Sequence, residues 1–209
     1  MPAPALTDLP GLFSNIDIYL FDQLLKGRIK KGSQVLDAGC GEGRNVQYLM
    51  EAGVTVYGAD VSGEAIGAVR QLARQVAPEL SPENFVVADL AQLPFDDGQF
   101  DAVLCSAVLH FSKDEDHFRR MLKELWRVLQ PGGMFFCRLS TTIGIAGKLQ
   151  QLHGRHYQMP HGPAWFLADE ELIRSITTSL GATWLEPLKT VLVEHDRSMT
   201  TWVLQKTFI

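Results

Sequence analysis

Three glycines at alternate positions, Gly39, Gly41 and Gly43, follow the apolar run VLDA and precede a helix-forming stretch. A strand that ends in such a turn and opens a helix aims unsatisfied backbone N–H groups and the positive end of the helix dipole at whatever lies above it. That is the chemistry of a nucleotide-like cofactor site. A dinucleotide fingerprint would place its third glycine one position later, to let helix and strand pack closely. Arg44 occupies that position, and its long cationic side chain is awkward for that purpose. Asp60 closes the next strand-like segment about twenty residues on, where a carboxylate can accept hydrogen bonds from both hydroxyls of a ribose. Asp89 ends the third such segment, VVAD, and would stand on the neighbouring strand tip, suited to an adenine amino group. Each acid also has an ordinary reading: Asp37 bracing the turn, Asp60 as a solvated strand end, Asp89 as turn chemistry. Together the three favour an adenosine site.

The elements that must position these residues alternate between strand and helix periodicity, with Gly, Pro and Asp at the joins. That rhythm predicts a mostly parallel sheet with helices on both faces. A helix from about Ile16 to Gly27 precedes the strand SQVLDAG and its helix RNVQYLMEAG. VTVYGAD is the second strand, and EAIGAVRQLARQVA carries Ile66, Val69, Leu72, Ala73 and Val76 at helical spacing before the third strand, NFVVAD. FDAVLCSAVLHF is too uniformly apolar to face water and belongs at the sheet centre. Phe118, Met121, Leu122, Leu125 and Leu129 form the stripe of a helix that QPGG stops before the strand MFFCRLS. From Thr141 the pattern dissolves into Gly, His and Pro, and a stretch of that length reads as either a functional lid or a disordered segment, with residues 141–168 assigned as a substrate lid. DEELIRSITTSLGA restores a helix, capped by Asp169 and stopped at Gly181. The last two strands, 183–194 and 200–208, form an antiparallel hairpin around HDRS. The expected result is one α/β domain over residues 1–209, with 1–32 as an N-terminal helical segment. Its sheet has seven strands, the last antiparallel.

Composition narrows the partners. The chain has 209 residues, 46% of them hydrophobic, enough for a proper core. A net charge of −5 supplies no basic footprint for a nucleic-acid backbone. No segment approaches the roughly 18 apolar residues of a membrane span. Cys40, Cys105 and Cys137 lie far apart without metal-ligand spacing and read as reduced thiols, so a cytoplasmic protein without nucleic-acid or membrane partners is expected.

Four blocks, VLDAGCGEGRN, VYGADVSGEAI, VVADLAQLPFDDGQFDAVLCSAVLHF and LWRVLQPGGMFF, resemble in order and spacing the successive motifs of class I S-adenosylmethionine-dependent methyltransferases. The resemblance covers roughly residues 33 to 140 and implies a Rossmann-like fold. GEGRN and the helix preceded by WFLADEEL look like a small-molecule branch that includes tellurite-resistance and thiopurine-type enzymes. It implies that the methionine end of S-adenosylmethionine, and of the product S-adenosylhomocysteine, lies over Asp37, Gly39, Cys40 and Gly41, with Arg44 and Asn45 opening the helix beside it. Asp60 would take the ribose diol, Val61 would lie against the adenine, and Asp89 with Leu90 would hold its edge. Ser106, Ala107 and His110 would face the methionine group and a small-molecule acceptor, with His110 as base where the acceptor needs one.

Two other functions use the same features. A nicotinamide-dependent oxidoreductase could employ the glycine turn and Asp60, and a non-catalytic S-adenosylmethionine-binding regulatory subunit could employ all of it. His153, His156 and His161 match no metal motif and suit a substrate lid better. His195 to Arg197 reads as an exposed charged turn, or as part of the substrate pocket.

Overall fold

The computed structural model describes residues 9–160, 162–194 and 196–208. Its main sheet contains β1 (Gln34–Ala38), β2 (Thr55–Asp60), β3 (Phe85–Val87), β4 (Phe100–Ser106), β5 (Leu129–Ser140), β9 (Thr183–Trp184), β10 (Lys189–Val193) and β11 (Arg197–Gln205). The order is β10-β11-β5-β4-β1-β2-β3. The pairings from β3 through β5 are parallel, and β11 runs antiparallel between β5 and β10. The expected sixth strand is one edge strand broken in two. β9 and β10 both pair with β11, and Pro187 between them has no N–H to give the ladder. Glu186, in the same break, turns its carboxylate to Lys26, Arg28 and Lys189.

Both faces of the sheet are buried, as the near-continuous apolar strands require. On β1 and β4, Leu36, Val103 and Cys105 face one core while Val35, Ala102 and Leu104 face the other. The first core takes α5 (Glu115–Val128) and α6 (Glu170–Ser179), and the second takes α2 (Ile18–Leu25), α3 (Gln47–Glu51) and α4 (Gly63–Val76). A short α1 (Leu9–Phe13) precedes α2, whose first turn is capped by Asp17.

Several boundaries differ from the sequence expectation, among them β4, which ends at Ser106 before a helical turn at Leu109–Phe111. Leu129 leaves the α5 stripe and begins β5, and QPGG forms the extended, irregular lead-in of that strand, with Gly132 at φ 80°. The helix expected from Arg44 begins only at Gln47, because turns closed by Cys40 and Gly43 carbonyls occupy the preceding residues. β11 starts at Arg197 rather than 200. Within 141–168, β6 (Gln150–His153), β7 (His156–Gln158) and β8 (Ala164–Phe166) make a second, antiparallel sheet. Its first strand, QQLH, is exposed throughout and its other two are only three residues long, so no apolar alternation announces it. Arg155 fastens it to Glu115 and Asp169, and His156 Nε2 meets the Ser112 carbonyl at 3.1 Å. Asp169 caps α6 as expected. Among the described residues, no helix is long and apolar enough to cross a membrane.

Candidate active site

Gly39, Gly41 and Gly43 adopt φ of 80°, 52° and 90°, the left-handed region where side chains are penalised. The turn they form is tied to β2. The N–H groups of Gly39 and Cys40 donate to the Ala59 carbonyl at 2.7 and 3.2 Å, and that of Gly41 donates to Asp60 Oδ2 at 3.0 Å. The other Asp60 oxygen accepts from Ser62 N–H at 2.9 Å. A Cβ on Gly39 would stand 2.3 Å from Val108 Cγ2, so the turn packs directly on the segment leaving β4. On Gly43 it would stand 2.8 Å from Val69 Cγ2. Gly43 therefore supplies the close approach to α4 and leaves position 44 free for an arginine.

Above this turn, at the carboxyl ends of the parallel strands, lies a cavity of about 590 Å³. Gly39 and Arg44 line it from the turn, Asp60 and Val61 from the tip of β2, Asp89 and Leu90 from the loop after β3, and Ser106, Ala107, Val108 and Phe111 from the segment after β4. Lys113, His117 and Met121 complete it from the start of α5. Val61 and Phe111 are 72% and 60% exposed, apolar surfaces suited to covering a planar ring. Ala107 sits at φ 62°, a strained value for a non-glycine residue and one more often met at functional sites.

Eight residues expected at the cofactor thus line one cavity: Gly39, Arg44, Asp60, Val61, Asp89, Leu90, Ser106 and Ala107. Asp37, Cys40, Gly41 and Asn45 belong to the turn and its support instead of the cavity lining. Asp37 is buried, its Oδ2 has no hydrogen-bond partner, and burial pushes its carboxyl up to about 7 against the opposing charge of Arg44. The Cys40 sulfur packs against Gly58, and burial raises its thiol far above the reactive range. Asn45 Oδ1 accepts from Asp17 N–H at 3.0 Å. His110 lies behind the lining, its ring between Phe111 and Trp165 at centroid distances of 4.5 and 4.4 Å. Its Nδ1 faces Ser140 N–H at 3.4 Å. Burial, and then the charge of Arg197, pushes its pKa down to about 4.

A node under the site escaped the sequence reading. The fully buried Asp17 carboxylate accepts from Tyr19 N–H at 2.9 Å, Ser106 Oγ at 3.1 Å and Arg138 Nη1 at 3.0 Å. Arg138 also lies 5.2 Å from the centre of the Tyr19 ring. The start of α2 is thereby locked to the tips of β4 and β5, while the Asn15 carbonyl accepts from Arg44. Only the Asp-x-Tyr pattern of a helix cap was available in the sequence; its partners lie 28 to 121 residues away. Lys113, His117 and Met121 were also missed as lining residues. Met121 was assigned wholly to the core stripe, and nothing local marks the first turn of α5 as the far wall of a cavity.

His153 and His156 stack at 4.7 Å on the small sheet. Among the described residues, no three His, Cys, Asp or Glu side chains converge as a metal site. His161 and His195 lie outside the described residues.

Comparison with known proteins decides between the readings of the glycine turn. Residues 36–137 match the family model described as a methyltransferase domain. Residues 36–137 are a methyltransferase domain. A malonyl-[acyl-carrier protein] O-methyltransferase of Pseudescherichia vulneris is 29% identical over 162 residues, 76% of this chain and 59% of that protein. The chain spans about half the length of the curated relatives it matches. A solved S-adenosylmethionine-dependent methyltransferase of Methanosarcina mazei superposes with a TM-score of 0.72 at 20% identity, covering 89% of this chain and 98% of that one. The 1,6-didemethyltoxoflavin-N1-methyltransferase of Burkholderia thailandensis, solved with 1,6-didemethyltoxoflavin and S-adenosylhomocysteine, gives 0.67 at 19% identity over 100% and 93%. These two likenesses concern the fold.

The residues of the methyltransferase domain fit the cofactor of the class. Asp60 and Asp89 offer carboxylates at two points of the rim, Val61 offers an apolar surface, and the buried Asp37 carboxyl, whose Oδ2 has no partner, is a group whose ionised form favours a cation above it.

Proposed function

We propose that this chain transfers a methyl group from S-adenosylmethionine to a small-molecule acceptor. The observation that carries the reading is the convergence of eight expected cofactor residues, from the carboxyl ends of four separate strands and the segments that follow them, on one cavity. When bound, the cofactor supplies a methyl group on a sulfonium, already activated toward nucleophiles. Asp60 would hold the ribose diol, Asp89 and Leu90 the adenine edge, and Arg44 the carboxylate end. Ser106 and Ala107 would flank the methyl group.

The residues that remain align the acceptor and exclude water. His110 is not proposed as the base. It is buried behind the cavity lining, its Nδ1 faces the Ser140 amide, and burial holds its pKa down to about 4, so it is a weak base away from the acceptor. Its ring, with Phe111 and Trp165, instead forms an aromatic wall beside the cavity. An acceptor that brings its own nucleophile, such as a thiolate, an amine or a carboxylate, suits this arrangement better than an alcohol. On the far side of Trp165, Met159, Pro160, Val193 and Arg197 help to line a smaller hollow of about 240 Å³, which favours residues 141–168 and the terminal hairpin as the acceptor side of a single functional domain. The free, buried thiols Cys40, Cys105 and Cys137 suit a reducing, cytoplasmic setting.

The test is a radiolabelled methyl-transfer screen across thiols, amines, carboxylates and phenols. Transfer to one of the first three classes supports the reading. Transfer to no class, with S-adenosylmethionine bound, contradicts it in favour of a non-catalytic cofactor-binding role.

A further inference from the structure

The hollow of about 240 Å³ beyond Trp165 lies between two hairpins. Met159 comes from the connection between β7 and β8, Trp165 from β8, and Val193, Glu194, Asp196 and Arg197 from the ends of β10 and β11 and the turn that joins them. Met159, the Trp165 ring and Val193 give it an apolar floor. Its volume is below the roughly 300 Å³ at which pockets for drug-sized ligands begin, so it takes a single ring with its substituents. Arg197 is the one cation among the described lining residues. It is exposed, and its guanidinium pairs with no carboxylate among the described residues. Its charge also reaches inward, toward the His110 ring that lies 4.4 Å from Trp165. After burial, Arg197 is the charge that lowers the His110 pKa to about 4, and neither Glu194 nor Asp196 acts on that ring. The two acids belong to the hairpin tip, where Glu194 adopts φ 53° and the Asp196 N–H donates to the Val193 carbonyl at 3.1 Å.

An exposed guanidinium thus stands beside an aromatic ring in a hollow of ring size. A planar guanidinium takes a carboxylate through two parallel hydrogen bonds, and the aromatic surface next to it takes the ring that bears the carboxylate. A phosphate would bring a second negative charge toward Glu194 and Asp196 and be repelled more strongly, while an ammonium would meet Arg197. We propose that this hollow binds an aromatic carboxylate, with its ring against Trp165 and Met159 and its carboxylate on Arg197, and that the methyl acceptor belongs to this class. The proposal rests on the reading that the 590 Å³ cavity, on the other side of the wall formed by His110 and Trp165, holds S-adenosylmethionine.

The test is titration of the whole chain with benzoate, benzamide and benzylamine, with and without saturating S-adenosylhomocysteine, followed by saturation-transfer NMR. Benzoate should bind about tenfold more tightly than its neutral isostere benzamide, with benzylamine weakest. Arg197→Gln should abolish the preference for benzoate, and Trp165→Leu should weaken benzoate and benzamide alike. Methyl transfer to the 2-, 3- and 4-mercaptobenzoates then compares acceptors with their amides. At least one acid should show a KM about tenfold below that of its amide, a difference lost in Arg197→Gln with kcat kept. Should a variant not fold, the wild-type ranking of the three ligands still decides. Benzamide bound as tightly as benzoate, benzylamine bound most tightly, or a preference for benzoate that survives Arg197→Gln overturns the proposal. Equal KM values for acids and amides, or transfer to none of the three acids, overturns it as well. Benzoate held through Arg197 by a chain indifferent to S-adenosylhomocysteine is a different result, and it overturns the cofactor reading itself.

Discussion

The Gly41 amide donates to Asp60 Oδ2 across 3.0 Å, so the acid placed to hold a ribose also pins the glycine turn to the tip of β2. With Oδ1 holding the Ser62 amide, the carboxylate is preorganised from two sides. Asp60→Ala should weaken S-adenosylhomocysteine binding by about 1 to 3 kcal/mol, the cost of leaving paired groups unpaired. It should also lower the unfolding midpoint, because the turn loses its tether. Calorimetry together with urea unfolding checks both, and unchanged affinity would remove Asp60 from the site.

Asp37 gives the pH dependence. Its carboxyl is raised from an ordinary value of 3.8 to about 7 by burial, so the folded chain holds this proton more tightly than the unfolded chain does. The resulting stability is fully present below about 4 and is lost as pH rises through about 7. Wild type should therefore lose stability relative to Asp37→Asn between about pH 4 and pH 7. A cationic sulfonium nearby favours the ionised form, so the preference for S-adenosylmethionine over S-adenosylhomocysteine should grow across the same range and stay flat in Asp37→Asn. A flat ratio in wild type would place Asp37 away from the sulfonium.

Gly39 carries two constraints, a φ of 80° and a Cβ position 2.3 Å from Val108 Cγ2. Gly39→Ala should cost about 2 to 4 kcal/mol in urea unfolding and displace Val108 from the cavity lining. Adding Val108→Ala should recover part of the loss but not the backbone portion. A neutral Gly39→Ala variant would contradict the packing described.

Much of this was legible in the sequence because it rests on local signals. The glycine spacing, the acid at each strand tip and the apolar central strands each follow from one segment's own chemistry, and the structure brings eight of the expected residues to one cavity. What escaped was non-local or without pattern. The β6-β7-β8 sheet is made of short strands without apolar alternation, Glu186 in the break of the edge strand pairs with Lys26 and Arg28, and His117 reads as one more polar residue at a helix start. Asn45 was assigned to the cofactor because it follows the turn, yet its side chain holds Asp17, a pairing no spacing rule could give.

That buried node makes its own prediction. Asp17→Ala removes the cap of α2 and strands Arg138, which is 23% exposed and so can partly rehydrate. The cost should be about 2 to 4 kcal/mol, toward the lower end of the range for broken buried pairs. Cofactor affinity should fall as well, because Ser106 loses its partner while lining the cavity. A variant altered in neither unfolding nor binding would show the latch to be inert.

The most direct measurement is calorimetric titration of the purified chain with S-adenosylhomocysteine and, in parallel, with NADH. The account predicts saturable binding of S-adenosylhomocysteine at one site per chain, weakened by Asp60→Ala, and no comparable uptake of NADH. Tight NADH binding, with no heat from S-adenosylhomocysteine, would contradict it.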